Sequence, residues 1–130
     1  MTIEFRHSMI SQKMNIDEIM RIIFKTETQA KVGALILKRI LEKGVYSEER
    51  TLQFGVYEED MREILEESKV SRPTFFKVLK RLRYIGLIKK QYRFYYLSTD
   101  FPNALRRLER AIRSILKRKL KHTAAFDEQF

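Results

Sequence analysis

The stretch from Ser71 to Gly86 constrains this 130-residue chain more than any other. Ser71 is a good helix N-cap, because its hydroxyl can accept from a backbone N–H of the first turn. Pro73 is tolerated only within that turn, since deeper in a helix it removes an i to i−4 hydrogen bond. A helix therefore begins here. Phe75, Val78, Leu79 and Leu82 then recur at the steps of three and four that put them on one side of it. Gly86 stands where a left-handed C-terminal cap favours glycine. Beyond it, Leu87-Ile88 and Phe94-Tyr95-Tyr96-Leu97 read as two strands, joined through Lys89-Lys90-Gln91-Tyr92-Arg93.

Upstream, Asn15 and Glu18 have capping-box spacing for a short helix from Ile16 to about Phe24. Its apolar residues Ile16, Ile19, Met20, Ile22 and Ile23 cover most of the circumference, which predicts a well-buried helix or one shared with a partner. A longer helix is expected from about Thr28 to Lys43, with Val32, Leu35, Ile36, Ile40 and Leu41 on one face and Gly44 as a left-handed cap. Thr51–Val56 alternates like a short strand. The helix predicted over Glu58–Ser68 is acidic in its first turn, as the helix dipole favours, and points Met61, Ile64 and Leu65 inward. After Asp100 and Pro102 a long last helix is expected to reach about Lys121. Residues 1–14 show no clear period, and 122–130 carry no helical stripe.

Charge is distributed unevenly. Residues 42–70 carry a net charge of −5, whereas 71–121 hold 16 basic and 2 acidic side chains. Such asymmetry points to a polyanion, either nucleic acid or an anionic membrane. With no cysteine, disulfides, thiolate catalysis and cysteine-based metal sites are excluded. His7 and His122 have no acid or nucleophile at motif spacing. The carboxylates Glu58, Glu59, Asp60, Glu63, Glu66 and Glu67 read as a solvated helix face rather than a metal site. Four glycines in all leave no phosphate-cradling loop. An enzyme, a metal and a cofactor are therefore not expected. No apolar run has the length of a membrane span, and the first residues lack the order of a signal peptide, so a cytoplasmic protein is expected. Few asparagines beside abundant Lys, Arg, Glu and Ile lean toward a thermophilic source.

The segment Val70–Lys90 resembles the recognition-helix block of the MarR, ArsR, TrmB and PadR regulators. The shared pattern is a Ser-x-x-Thr helix start at Ser71 and Thr74, apolar residues at Phe75, Val78, Leu79 and Leu82, then Gly86-Leu87-Ile88 followed by basic residues. Phe94-Tyr95-Tyr96-Leu97-Ser98 resembles the second wing strand of the same proteins. The resemblance, loosely over residues 28–120 and read as archaeal, implies a winged helix-turn-helix. The fold class is then mainly α with a small β-hairpin wing and a long C-terminal dimerisation helix. Residues 1–27 would be an arm and short helix, 28–98 the winged domain, 99–121 the dimerisation helix and 122–130 a tail.

Carried over residue by residue, the resemblance directs Ser71, Arg72, Pro73, Thr74, Phe76 and Lys77 toward the major groove of double-stranded DNA. Arg72 is the expected base reader, because arginine suits bidentate contact with guanine, with Thr74 and Lys77 in support. Phe76 departs from the small or polar residue usual there; a thymine methyl, a wider core face or a partner contact would each account for it. Lys80 and Arg81 are either phosphate contacts or a solvated face, as is Arg83. Lys89, Lys90, Gln91 and Arg93 are expected at the wing tip, on phosphates rather than deep in the minor groove, because the loop is short and lacks glycine. In the last helix, Phe101, Leu105, Leu108, Ile112, Ile115 and Leu116 form either a homodimer seam or a face folded back onto the domain. Its basic faces extend the DNA footprint or lie on an anionic membrane, and the absence of Trp on its apolar face favours DNA. The expected function is sequence-specific DNA binding by a homodimeric transcriptional regulator. The alternatives are an architectural protein that coats duplex and a winged helix used for protein contacts. Neither an effector ligand nor an operator sequence can be read from the chain.

Overall fold

In the computed structural model, which describes residues 5–46 and 52–120, five α-helices are interspersed with four short strands. The chain divides after Ser98 into two units. In the first, α1 (Ile16–Ile23) starts with the expected capping box: the Asn15 side chain accepts from the Glu18 N–H at 2.8 Å, and the Glu18 carboxylate accepts from the Asn15 N–H at 3.3 Å. Only Met20 and Ile23 of α1 are buried. Ile16 and Ile22 are half-buried and Ile19 is exposed, so α1 covers the core with one side rather than being buried all round.

The central element is α2 (Glu27–Glu42), which Thr26 caps by accepting from the Gln29 N–H at 3.2 Å. It touches α1, α3, α4 and the sheet, so burial follows its neighbours rather than one stripe. Ala30, Ala34 and Leu37 join Val32, Ile36 and Ile40 in the core, whereas Leu41 is 43% exposed and Leu35 half-buried. Gly33 marks the closest approach of α1, because a Cβ there would lie 2.7 Å from the Phe24 ring and 3.1 Å from the Met20 sulfur. The helix ends with Lys43 in an extended conformation, and Gly44 opens a strand instead of forming a left-handed cap.

That strand, β1 (Gly44–Tyr46), was not anticipated, since three residues leave little periodicity to read. It pairs with β2 (Leu52–Tyr57), which realises the expected strand; Thr51, placed at its start by the sequence, lies outside the described residues. The sheet is antiparallel throughout, in the order β1-β2-β4-β3. Gly55 has a steric reason: a Cβ there would come within 2.4 Å of the Tyr95 carbonyl and 2.5 Å of the Phe94 ring. Its absence lets Phe94 lie on the outer sheet face between Tyr57 and Tyr96, with ring centroids 5.0 and 5.9 Å away.

β2 runs directly into α3 (Glu58–Ser68), whose first turn is tied on two sides. Asp60 accepts from the Tyr57 N–H at 3.2 Å, and the Arg93 carbonyl accepts from the Glu58 N–H at 2.8 Å. Lys69 then adopts a left-handed conformation (φ 57°), and three residues, Lys69 to Ser71, connect α3 to α4 (Arg72–Ile85). Ser71 caps α4 by accepting from the Thr74 N–H at 3.3 Å. Gly86 terminates it with φ 90°, while its own N–H and that of Leu87 reach the Arg83 and Leu82 carbonyls. The four predicted apolar residues of α4 are all buried.

The hairpin is longer and its loop tighter than expected. β3 spans Ile88–Gln91 and β4 Phe94–Leu97, in a register that pairs Ile88 with Leu97 and Gln91 with Phe94. Lys89, Lys90 and Gln91 are thus strand residues, and only Tyr92-Arg93 remains as loop. Tyr92 takes the positive φ, 57°, that a two-residue hairpin turn requires.

The second unit is α5 (Asp100–Leu120), 21 residues with none buried. The predicted helix end at Lys121, the tail 122–130 and the start of the N-terminal arm lie outside the described residues. No helix among the described residues is long and apolar enough to cross a membrane.

Candidate nucleic-acid interface

At 100° per residue, burying Phe75, Val78, Leu79 and Leu82 dictates what α4 offers to solvent. Pro73, Lys77, Lys80 and Tyr84 form the ridge that points directly away from the core. Arg72, Phe76 and Arg83 lie on the flank toward α3 and the sheet, and Thr74 and Arg81 on the opposite flank. Ser71, Arg72, Pro73, Lys77 and Lys80 are exposed, while Thr74 and Arg81 are half-buried. Tyr84, which the sequence reading passed over, is among the most exposed aromatics and lies beneath the Arg81 guanidinium, 5.8 Å from its ring centroid.

Phe76 is 39% exposed and leans its edge on Phe75, with centroids 5.6 Å apart. It also borders a small cleft with Met61, Leu65 and Tyr95, so its ring widens the core face of α4. The Arg72 guanidinium sits over it, 5.4 Å from the centroid, a cation–π contact of about 0.5–1 kcal/mol at an exposed site. Phe76 therefore orients the arginine expected to read bases. The Ser71 hydroxyl donates to Thr74 Oγ1 at 2.8 Å as well as capping the helix, which commits Ser71 to the first turn of α4.

On the hairpin, Lys89, Gln91 and Arg93 are exposed, with Tyr92 at the tip 90% exposed. Lys90 differs from the expectation. Strand alternation turns it to the same face as Ile88 and Tyr95, where its Nζ lies 3.2 Å from Glu58 and 5.1 Å from the Tyr95 ring centroid. Glu58 first, and Tyr95 second, hold the ammonium protonated above the usual lysine range. Its charge is thus engaged between the hairpin and α3. The acidic segment is quieted in the same way: Asp60 pairs with Lys43 at 3.1 Å, and Glu67 pairs with Arg39. Glu59, Glu63 and Glu66 remain as an exposed row on α3.

In α5 the predicted seam faces solvent. Leu105, Leu108, Ile112, Ile115 and Leu116 are between 37% and 56% exposed, and Phe101 is half-buried. Leu120 prolongs the stripe one turn beyond Leu116. Strict heptad counting missed it, because Lys119 occupies the next seam position while the four-residue step from Leu116 to Leu120 continues the same face. The remaining circumference carries Arg106, Arg107, Arg110, Arg113, Lys117 and Arg118, with Arg113 paired to Glu109.

A family model described as an archaeal family matches residues 13–116 of this chain. No curated protein and no solved structure matches it.

Proposed function

The chain belongs to that archaeal family, and we propose that it is a homodimeric winged helix-turn-helix protein that binds double-stranded DNA sequence-specifically as a transcriptional regulator. In this reading α3 and α4 are the helix pair, residues 71–84 enter the major groove, and residues 87–97 form the wing on the backbone. The observation that carries it is the solvent side of α4: Lys77 and Lys80 protrude there with Arg72 and Arg81 on its two flanks, and the helix has no carboxylate at all. An α-helix about 10–12 Å across fits a major groove about 12 Å wide. The hairpin that follows is bonded to β2 and to the start of α3, and its first strand touches α4, which supports reading it as the wing.

Sequence reading and mere attraction are separable. Selection from a random duplex pool should return a defined site, preferred by at least about 10³-fold over non-specific DNA. Arg72→Ala should then cost about 1–3 kcal/mol at one base position and relax selectivity there. An equal loss on all sequences would end the base-reading role. It would also favour the second reading, an architectural protein that coats duplex. The basic faces of α5 are the observation behind that alternative.

Dimerisation is assigned to α5, because six exposed Leu and Ile side chains in one row need a cover, and a second α5 offers the complementary row. Leu108→Asp with Ile112→Asp should convert a dimer to a monomer in sedimentation equilibrium while leaving the far-ultraviolet spectrum of the first unit intact. A doubly substituted protein that still sediments as a dimer would move the interface elsewhere.

A further inference from the structure

Within the first unit a groove of about 770 Å³ lies between the α1–α2 corner and the ridge of α4. Phe24 and Val78, both buried, form its floor. Its walls bring Lys25 from the corner opposite Lys77, Lys80 and Arg81 from α4, with Gln29 of α2 between them. No carboxylate lines it. Five cations elsewhere in this unit are neutralised locally: Arg21 by Glu27, Lys38 by Asp17, Arg39 by Glu67, Lys43 by Asp60 and Lys90 by Glu58. None of the four groove cations has an ion-pair partner among the described residues. Four like charges converging on one trough repel one another, and an anion seated there relieves the repulsion.

The two flanks of α4 differ sharply. Toward α3 the cleft is lined by Glu58 beside Arg62 and Arg72, while the exposed row Glu59, Glu63 and Glu66 lies on the outward side of α3. Toward the α1–α2 corner lies this cationic trough. A helix in the major groove has a sugar-phosphate strand on each side, and of the two clefts beside α4 the one at the α1–α2 corner holds four cations and no carboxylate, whereas the other includes Glu58. Lys77 and Lys80 belong to both the outward ridge and the trough, so whatever fills the trough lies against the face that enters the groove. Its cations are mostly exposed and spread along an open channel, as suits a continuous polyanion. We infer that this groove seats the phosphodiester backbone of one strand of the bound duplex, with Lys25 and Gln29 as phosphate contacts contributed from outside the helix pair and the wing. The inference rests on the reading of α4 as the recognition helix.

The experiment uses the full chain and a duplex carrying its selected site. Lys25→Ala should make the plot of log K against log salt shallower by about 0.9 and weaken binding about eightfold near 0.1 M salt. Sequence preference should stay unchanged, because a phosphate contact carries no base information. The melting midpoint of the protein should hold, since Lys25 is exposed and has no ion-pair partner among the described residues. Methylphosphonate substitution, scanned along each strand, should find one position that weakens the wild type and leaves Lys25→Ala no weaker. If Lys25→Ala keeps the wild-type slope while Lys77→Ala loses affinity, the trough is not a backbone seat and the recognition-helix reading survives. If the unaltered protein binds no duplex, both readings fall. If pyrophosphate shifts the Lys25 and Gln29 amide resonances and no methylphosphonate position depends on Lys25, the trough is a small-anion site and the inference is overturned.

Discussion

Lys77→Glu combined with Lys80→Glu should lower duplex affinity by about two orders of magnitude near 0.1 M salt. Each phosphate contact releases counterions with a slope of about 0.9, so two lost contacts remove about 1.8 decades at that concentration, and the introduced carboxylates add repulsion. Both lysines stand on the outward ridge of α4 and are exposed, so the fold is untouched. Fluorescence anisotropy over a range of salt concentrations reads the effect directly, with the melting midpoint as control. A double variant that binds within about threefold of the parent would mean that α4 does not face the polyanion. The same pair also walls the trough beside Lys25, so this variant tests the face as a whole, whereas Lys25→Ala isolates the trough.

Phe75→Ala should cost about 3–5 kcal/mol of stability, the range for deleting a fully buried phenylalanine. Its side chain is 0% exposed, and it lies on the inner side of α4 beside Val78, Leu79 and Leu82. Against a typical domain stability of about 5–15 kcal/mol, such a loss leaves a large unfolded fraction. The substitution also removes the ring on which Phe76 leans, and with it the support for Arg72. Urea unfolding followed by circular dichroism measures the cost, and Phe75→Leu should recover much of it by leaving a smaller cavity. A loss below about 1 kcal/mol would contradict the packing of α4 described here.

The parts of the molecule legible in advance are those governed by neighbours in sequence. The Asn15–Glu18 box, the extent of α3, the Ser71 cap and the Gly86 stop all depend on contacts within a few residues. The apolar face of α4 was legible as well, since its neighbours α2, α3 and β3 leave the opposite side to solvent and the 3.6-residue period survives. In α2 it does not survive: neighbours on several sides bury Ala30, Ala34 and Leu37 and leave Leu41 outside. Small residues there mark the approach of another helix, a signal that hydrophobic periodicity overlooks.

Of the candidate interface, the inventory and its order along the chain could be read from the residues alone: a capped helix without a carboxylate, a glycine stop, two strands, and a basic helix with an apolar row. Local rules suffice for that, because caps, periods and turns are set by adjacent residues. Which charges are paired and which stand free of a carboxylate depends instead on how the elements pack. Lys90, expected in the hairpin loop, is a strand residue whose register brings it against Glu58 and Tyr95. Phe76 was an anomaly until its ring was found between Phe75 and the Arg72 guanidinium. Lys25 was unremarkable until the α1–α2 corner brought it opposite Lys77, Lys80 and Arg81. Ion pairs and grooves join residues tens of positions apart, and their energies depend on distances that no local pattern encodes.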